Sequence, residues 1–268
     1  MKQKRLNGFL LAGFILFGLL LALTILGAFW TPHSTTATSG MKVEAPSAAH
    51  LLGTDKLGRD IFSRVLRGMG TTLSIALATV LIGAVVGTLV GAVTGYYGGA
   101  VDEALMRLND ALTAFPSILL ALVVISILGP QSKVNLILAL GLVFIPSFAR
   151  VTRTSFASLR DMNYITSARL MGAGSPRILV LHMLPNTLRI LLPALTIGFN
   201  TAVLAEASMS FLRITPLETS LGYMLSESQG MFASAPWYAL GTGLTIVLLV
   251  FGVGLIGEGL QRLNGGDA

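Results

Sequence analysis

The chain has 268 residues, of which 53% are hydrophobic and 11% charged, and it carries a formal net charge of +6. The apolar residues lie in long uninterrupted blocks, which excludes an ordinary soluble domain, and the absence of cysteine excludes a disulfide framework and any Cys-based metal site. Continuous apolar runs without period-two alternation predict an all-α integral membrane protein and not a barrel, because a bilayer core about 30 Å thick takes roughly 20 apolar helical residues and every backbone polar group must be satisfied inside it. The positive charge then orients the protein and meets anionic lipid or a partner. It does not indicate a nucleic-acid ligand.

In chain order, the basic start Met1-Lys2-Gln3-Lys4-Arg5 precedes an uncharged run from residue 6 to 33. That run is longer than a signal-peptide core, so residues 1–30 are read as an uncleaved first transmembrane helix (span 8–30) with its N-terminus inside. Residues 31–70 form a polar extracytoplasmic segment. Residues 71–268 form a core of five further spans near 71–97, 112–128, 134–149, 187–209 and 237–260. A cytoplasmic turn and amphipathic helix occupy 98–110, and Gly129-Pro130-Gln131-Ser132-Lys133 makes a tight outside turn. Residues 210–236 lie outside, and the tail 261–268 ends inside. The first outside segment, with Lys42, Lys56, Arg59, Arg64 and Arg67, is more basic than the positive-inside rule prefers. Glu44, Asp55 and Asp60 accompany those charges.

Between the fourth and fifth spans lies a basic connector, about 150–186, reading RVTRTSFASLRDMNYITSARLMGAGSPRILVLHMLPN. Arg150, Arg153, Arg160, Arg169 and Arg177 share it with one acid, Asp161. Short Lys/Arg-rich loops are retained in the cytoplasm. Two short helical patterns meet around Gly172-Ala173-Gly174-Ser175-Pro176, so the connector reads as a folded knob driven by a cytoplasmic partner.

Gly83, Gly87, Gly91, Gly95 and Gly99 recur every fourth residue of the second span. Such a stripe lets another helix approach closely; packing within the chain is the leading reading, and a subunit interface or pore lining the other. Gly252-Val253-Gly254-Leu255-Ile256-Gly257 matches the dinucleotide fingerprint only formally, since that motif works between a strand and a helix. No lysine is followed by Ser or Thr, so a Walker loop is absent and the chain is not itself an ATPase. His33, His50 and His182 are scattered without ligand spacing, and no metal site is expected. No constellation for an intramembrane hydrolase can be assembled. Glu206 is flanked by apolar sequence, and intramembrane carboxylates are costly and often functional; a solvated interface position is the alternative. Glu258 reads as a snorkelled surface charge. Asp60 and Arg64 are four apart on a helix start, where a pair is worth a few tenths of a kcal/mol.

The run Tyr164-Ile-Thr-Ser-Ala168-Arg169-Leu-Met-Gly172-Ala173, with Leu184-Pro185 downstream, resembles the EAA loop of ABC-importer permeases. Ala168, Gly172, Leu184 and Pro185 fall at motif positions, while Thr166 and Ser167 replace the acid and the first alanine. The GTDKLGRDIFSR segment, the Gly95-Tyr96-Tyr97-Gly98-Gly99-Ala100-Val101-Asp102 turn and Phe115-Pro116 are similar to the second permease of dipeptide, oligopeptide and nickel importers. The resemblance implies a type I importer fold of six helices with a cytoplasmic coupling helix about Gly172–Arg177, in a bacterial cytoplasmic (inner) membrane with both termini cytoplasmic. It implies a second permease, two ATPase subunits that use ATP and Mg, a solute-binding protein, and no cofactor on this chain. Coupling to the ATPase falls to Ala168, Arg169, Gly172, Ala173, Gly174 and Pro185. The cargo is a peptide, nickel or a metal–chelate complex. Arg213-Ile214-Thr215-Pro216 departs from the family's Gly-Leu-Gly, so either Arg213, balanced by Glu206, shapes the outer part of the translocation path, or it is a surface arginine that pairs with lipid headgroups. A secondary transporter or channel not driven by ATP is the rival; the internal repeats or interrupted helices with midplane charges that mark one are not evident.

Overall fold

The computed structural model describes residues 7–38, 41–130, 132–214 and 219–263. Lys2, Lys4 and Arg5, Gln131 of the tight turn, Thr215-Pro216 and residues 264–268 lie outside the described residues. The elements are α1 (Gly8–Phe29), α2 (Ile61–Tyr97), α3 (Gly99–Thr113), α4 (Ser117–Leu128), α5 (Lys133–Arg160), α6 (Asn163–Leu170), α7 (Ser175–Arg177), a π-helical stretch (Ile178–Met183), α8 (Leu184–Phe211), α9 (Leu221–Gln229) and α10 (Pro236–Leu263). No strand occurs among the described residues.

Five helices are long and apolar enough to cross a membrane, and a sixth span exists if the bent pair α3–α4 counts as one. The expected third span, 112–128, is therefore not a straight helix. Proline cannot continue a helix through the residues before it, and at Phe115-Pro116 the axis turns by 92°. At 1.5 Å per residue the 12 residues of α4 rise only about 18 Å.

The second span begins earlier than expected. Asp60 caps α2 by accepting from Ser63 N at 2.7 Å, the usual way to satisfy a helix's first donors, and 37 helical residues follow. Residues 61–70, assigned to the extracytoplasmic segment, thus belong to the bundle. Likewise residues 150–160 of the basic connector are the last three turns of α5.

Two glycine-lined seams hold the bundle. A Cβ on Gly83 would lie 2.5 Å from Phe144 Cβ, on Gly87 2.6 Å from Ile145 O, and on Gly95 2.6 Å from Arg153 O; on Gly91 it would overlap Ala149 O. These four glycines all press α2 onto α5, so the backbones touch where side chains would hold them apart. Gly99 stands apart: it opens α3 with φ +57° and faces open space. The second seam joins α1 to α10, where a Cβ on Gly13 would lie 2.7 Å from Ile256 N, on Gly252 3.3 Å from Phe17 N and on Gly259 2.7 Å from Leu10 Cβ. Gly257, in the formal dinucleotide fingerprint, abuts Thr196 of α8. The apolar core between α2, α5, α8 and α10 includes Met69, Leu73, Phe148, Val203 and Leu249.

The bundle has two unlike ends. One gathers the starts of α2 and α10 with residues 41–60 and α9, and is called the ion-cluster end. The opposite, knob end gathers the close of α2 and α5 with α6, α7 and the π-helical stretch. The described chain also begins and ends there, with the Arg262 guanidinium 4.1 Å over the Phe9 ring. Arg262 Nε also donates to Glu258, and both are partly exposed.

Candidate coupling surface and translocation face

At the knob end, α6 stops by a turn that its sequence dictates. Gly172 N donates to Arg169 O and Ala173 N donates to Ala168 O, both at 3.0 Å, while Gly172 takes φ +83°. That is a Schellman closure, in which the left-handed position after the helix is natural for glycine. Gly174 follows, then Ser175-Pro176-Arg177 with Pro176 in the first turn, a favoured place for a residue without N–H.

Tyr96, Phe156, Ile165, Ile178 and Met183 are buried beneath this turn, with Ala173 packed against them. The knob therefore has its own small core, fixed to the ends of α2 and α5. Ala168 is buried on the inner face of α6, whereas Arg169, Gly172, Gly174 and Pro185 are at least partly exposed. Arg169 lies 5.7 Å over the Tyr96 ring. Leu170 and Met171, which the motif did not single out, are 84% and 81% exposed. They make an apolar apex at the end of α6, and the helix expected about Gly172–Arg177 begins at Ser175 and runs on through the π-helical stretch into α8.

The connector's positive charge is less free than the sequence suggests, because α3 supplies acids from 40 or more residues away. Arg153 grips Asp102 with Nε and Nη2, both at 2.5 Å, and Arg150 Nη2 donates to Asp110 at 3.1 Å. Asp161, the connector's own acid, meets Arg160 at 3.4 Å. Thr166 turns its hydroxyl back to Met162 O.

Glu206 and Arg213 do not come together. Glu206 is fully buried and its Oε1 accepts from Ser210 Oγ at 2.7 Å, so the solvated reading of this acid is set aside. Arg213 lies beyond the end of α8, where Arg213 N donates to Ser210 O and Ile214 N to Met209 O. This is a second Schellman closure, with Arg213 at the left-handed position, φ +56°. Its side chain turns away to Ser226 Oγ at 3.1 Å and to the Tyr223 ring. The expected balance between the two charges is therefore absent, because the turn sends the arginine outward and the helix keeps the acid inward.

The face of the bundle between α4, α5 and α8 instead holds a cavity of about 250 Å³. Its walls are mostly apolar (Ile118, Val143, Phe144), with the hydroxyls of Ser117, Ser147 and Thr201 among them. None of these residues carried a sequence signal, since a serine in an apolar run looks the same on any helix face.

The opposite end is held by buried charge. Asp55 Oδ2 accepts from Arg59 Nε at 2.7 Å and Arg64 Nη1 at 2.6 Å; Glu227 accepts from Arg59 Nη2 at 3.1 Å and Arg64 Nη2 at 2.7 Å. Tyr238 Oη accepts from Arg64 and donates to Glu227. Among the described residues, two cations and two anions thus close a ring joining residues 55–59, α2, α9 and α10. Burial opposes the Arg59 charge, yet its bonds to Asp55 and the nearness of Asp55 and Glu227 hold that guanidinium above its ordinary value. The expected Asp60–Arg64 pair does not form: Asp60 is engaged with Ser63 N and His50, and Arg64 with the ring. The histidines are not all scattered either, for His33 and His50 both approach Asp60.

Residues 87–265 match the family described as binding-protein-dependent transport system inner membrane component. The dipeptide transport system permease protein DppC of Alkalihalophilus pseudofirmus is 37% identical over 264 residues, covering 97% of this chain and 86% of that protein. The glutathione transport system permease protein GsiD of Escherichia coli is 41% identical over 218 residues, or 81% of this chain and 72% of that one. The inward-facing MetNI methionine ABC transporter superposes with a TM-score of 0.61 over 75% of this chain and 96% of its own, at 22% identity, and so shares the fold. The chain belongs to the binding-protein-dependent transport system inner membrane component family and is a multi-pass permease subunit of an ABC importer.

Proposed function

We propose that this permease pairs with a second permease to carry short peptides inward, driven by two ATPase subunits that dock on the knob. The observation that supports this reading is the apolar apex Leu170–Met171, held out by a Schellman turn above a packed support. Exposed apolar residues on a rigid base suit a partner's groove better than water. In this reading the knob end is cytoplasmic, both termini are cytoplasmic, and the membrane is the bacterial inner membrane. The ion-cluster end then faces the solute-binding protein, which selects the cargo.

ATP and Mg belong to the partner ATPases, and this chain holds no nucleotide. Closure of the ATPases pulls on α6 and, through the core beneath it, on the ends of α2 and α5; that biases two states of the bundle. Short peptides are preferred over nickel or metal–chelate cargo because the relatives named above are dipeptide and glutathione permeases.

The test is uptake of a labelled dipeptide and of glutathione into vesicles holding matched levels of the assembled importer, with ATP or a non-hydrolysable analogue. Uptake should require hydrolysis. Leu170→Asp with Met171→Asp should abolish it and release the ATPase on purification, while membrane insertion is unchanged. Uptake that persists without hydrolysis would point to a channel or secondary transporter, and an unaffected double variant would remove the apex from coupling.

A further inference from the structure

At the ion-cluster end, three separate segments bring two imidazoles to one carboxylate. His33 lies in the stretch after α1, His50 in the turn before Gly53, and Asp60 at the cap of α2. His50 Nδ1 is 2.9 Å and His33 Nδ1 3.8 Å from the same oxygen, Asp60 Oδ1. One ligand atom from each residue lies within 4.8 Å of the others. The two rings sit 4.5 Å apart and tilted by 37°, so both can present a nitrogen to one point.

A hydrogen bond between His50 and Asp60 would explain those two residues by themselves. It leaves His33 unexplained, because its Nδ1 is buried without a hydrogen-bond partner, and an unsatisfied buried polar atom costs about 1–3 kcal/mol. A tetrahedral zinc ion with bonds near 2.0–2.1 Å sets its ligand atoms roughly 3.4 Å apart. The two nitrogen–oxygen separations lie on either side of that distance, within half an ångström.

The residues are also held in place. His33 N donates to Ser63 Oγ and its carbonyl accepts from Thr31 Oγ1. His50 N donates to Ser47 Oγ, and its carbonyl accepts from Ser47 N and Gly53 N. Asp60 spends Oδ2 on the helix cap, which leaves Oδ1 to ligate. Side-chain exposure rises from 1% at Asp60 to 10% at His50 and 34% at His33, so the fourth position opens past His33.

We propose that His33, His50 and Asp60 form a binding site for a divalent transition cation of the zinc or nickel kind. Two imidazoles and one carboxylate suit such ions, whereas calcium takes six to eight oxygens. On loading, His50 Nδ1 exchanges its hydrogen bond with Asp60 for the ion, and the ring's proton moves through solvent to Nε2, so the imidazole ligates in its neutral form. The ion staples the stretch after α1 and the turn at 47–53 to the first turn of α2, beside the buried ion ring. The site is part of the permease itself and independent of the identity of the cargo.

The experiment uses the assembled importer purified through a tag without histidines, stripped by chelator and re-equilibrated with Zn²⁺ and, separately, Ni²⁺. Bound metal is counted by mass spectrometry and thermal unfolding is followed with and without ion. His33→Ala removes the outermost ligand and leaves the His50–Asp60 bond intact, so it should fold; His50→Gln keeps a hydrogen bond to Asp60 and serves as the second variant. Wild type should retain one more ion per copy of this chain than either variant, and its ion-dependent rise in unfolding midpoint should vanish in both. Equal metal content in wild type and His33→Ala, or an unfolding midpoint of the stripped wild type that neither ion raises, would overturn the proposal.

Discussion

The two ends of this bundle handle charge in opposite ways. At the ion-cluster end, Asp55, Arg59, Arg64 and Glu227 are nearly all withdrawn from water and each side chain is used by the others. At the knob end, Arg150 and the acids Asp110 and Asp161 remain largely in solvent, and Arg160 is 36% exposed. A buried ring is intolerant of change, because any single loss leaves an uncompensated charge, while exposed pairs contribute little. Rigidity and exchange are thereby placed at opposite ends. The ring locks loops, α2, α9 and α10 into one body; the knob keeps a partly neutralised skirt around an exposed apolar apex, the surface proposed above to meet the ATPases.

The sharpest way to disturb this arrangement is to open the ring. Arg64→Met removes the cation that joins Asp55, Glu227 and Tyr238 and strands the acids, a loss of about 3–5 kcal/mol for a broken buried pair. Thermal unfolding and the yield of folded complex should fall steeply. A variant with wild-type midpoint would mean that the ring is solvated in the working protein.

The glycine seam between the ends comes next. Gly91→Leu drives a side chain into the Ala149 carbonyl and should cost about 1–3 kcal/mol or more through overpacking. Leu89→Ala, two residues away at a position 63% exposed, should stay within roughly 0.5 kcal/mol, the usual range for surface changes. Equal yields of intact complex from both variants would show that α2 and α5 can separate freely.

The two Schellman turns, one at each end, allow a test with opposite signs. A non-glycine residue held left-handed costs about 1–2 kcal/mol. Gly172→Ala should therefore lower stability by about 1 kcal/mol through backbone strain, since open space surrounds its Cβ position, and Arg213→Gly should raise it by a similar amount. Denaturation midpoints of the two variants moving in the same direction would refute this account of the turns.

The smallest effect should come from the skirt. Arg150→Ala breaks an exposed pair with Asp110 and should change stability by less than about 1 kcal/mol. A larger drop in the unfolding midpoint would mean that α3 depends on that contact as heavily as the far end depends on its ring.

Part of the candidate site is legible in the sequence. The EAA-like spacing of Ala168, Gly172, Leu184 and Pro185 locates the knob, because a helix stop needs a glycine at a set distance and local chemistry is written locally. The four-residue spacing of Gly83 to Gly95 marks a close helix contact for the same reason. The apex is not legible: Leu170 and Met171 read as part of an amphipathic pattern until the turn is seen to leave them outside. Nothing in the neighbourhood of Glu227 signals a partner, and Arg64 pairs on paper with Asp60 because only near neighbours can be paired there. The Arg213–Glu206 pairing fails on the left-handed turn after Phe211, which a chain without a glycine there does not announce.

The class of protein and the order of its helices follow from sequence alone, since bilayer thickness and backbone satisfaction act on any apolar run of sufficient length. So do the helix stop at Gly172 and the choice of helix that carries a bare stripe, whereas the break at Pro116 falls inside a span read as continuous. Packing in three dimensions decided that the stripe faces α5, that the arginines of the connector find acids on α3, and that Asp55, Arg59, Arg64 and Glu227 close into one ring. It also brought His33 and His50 to Asp60. The physical reason is range: propensity and capping act over a few residues, whereas charge and ligand partners are chosen by packing, which joins positions as far apart as Arg64 and Glu227.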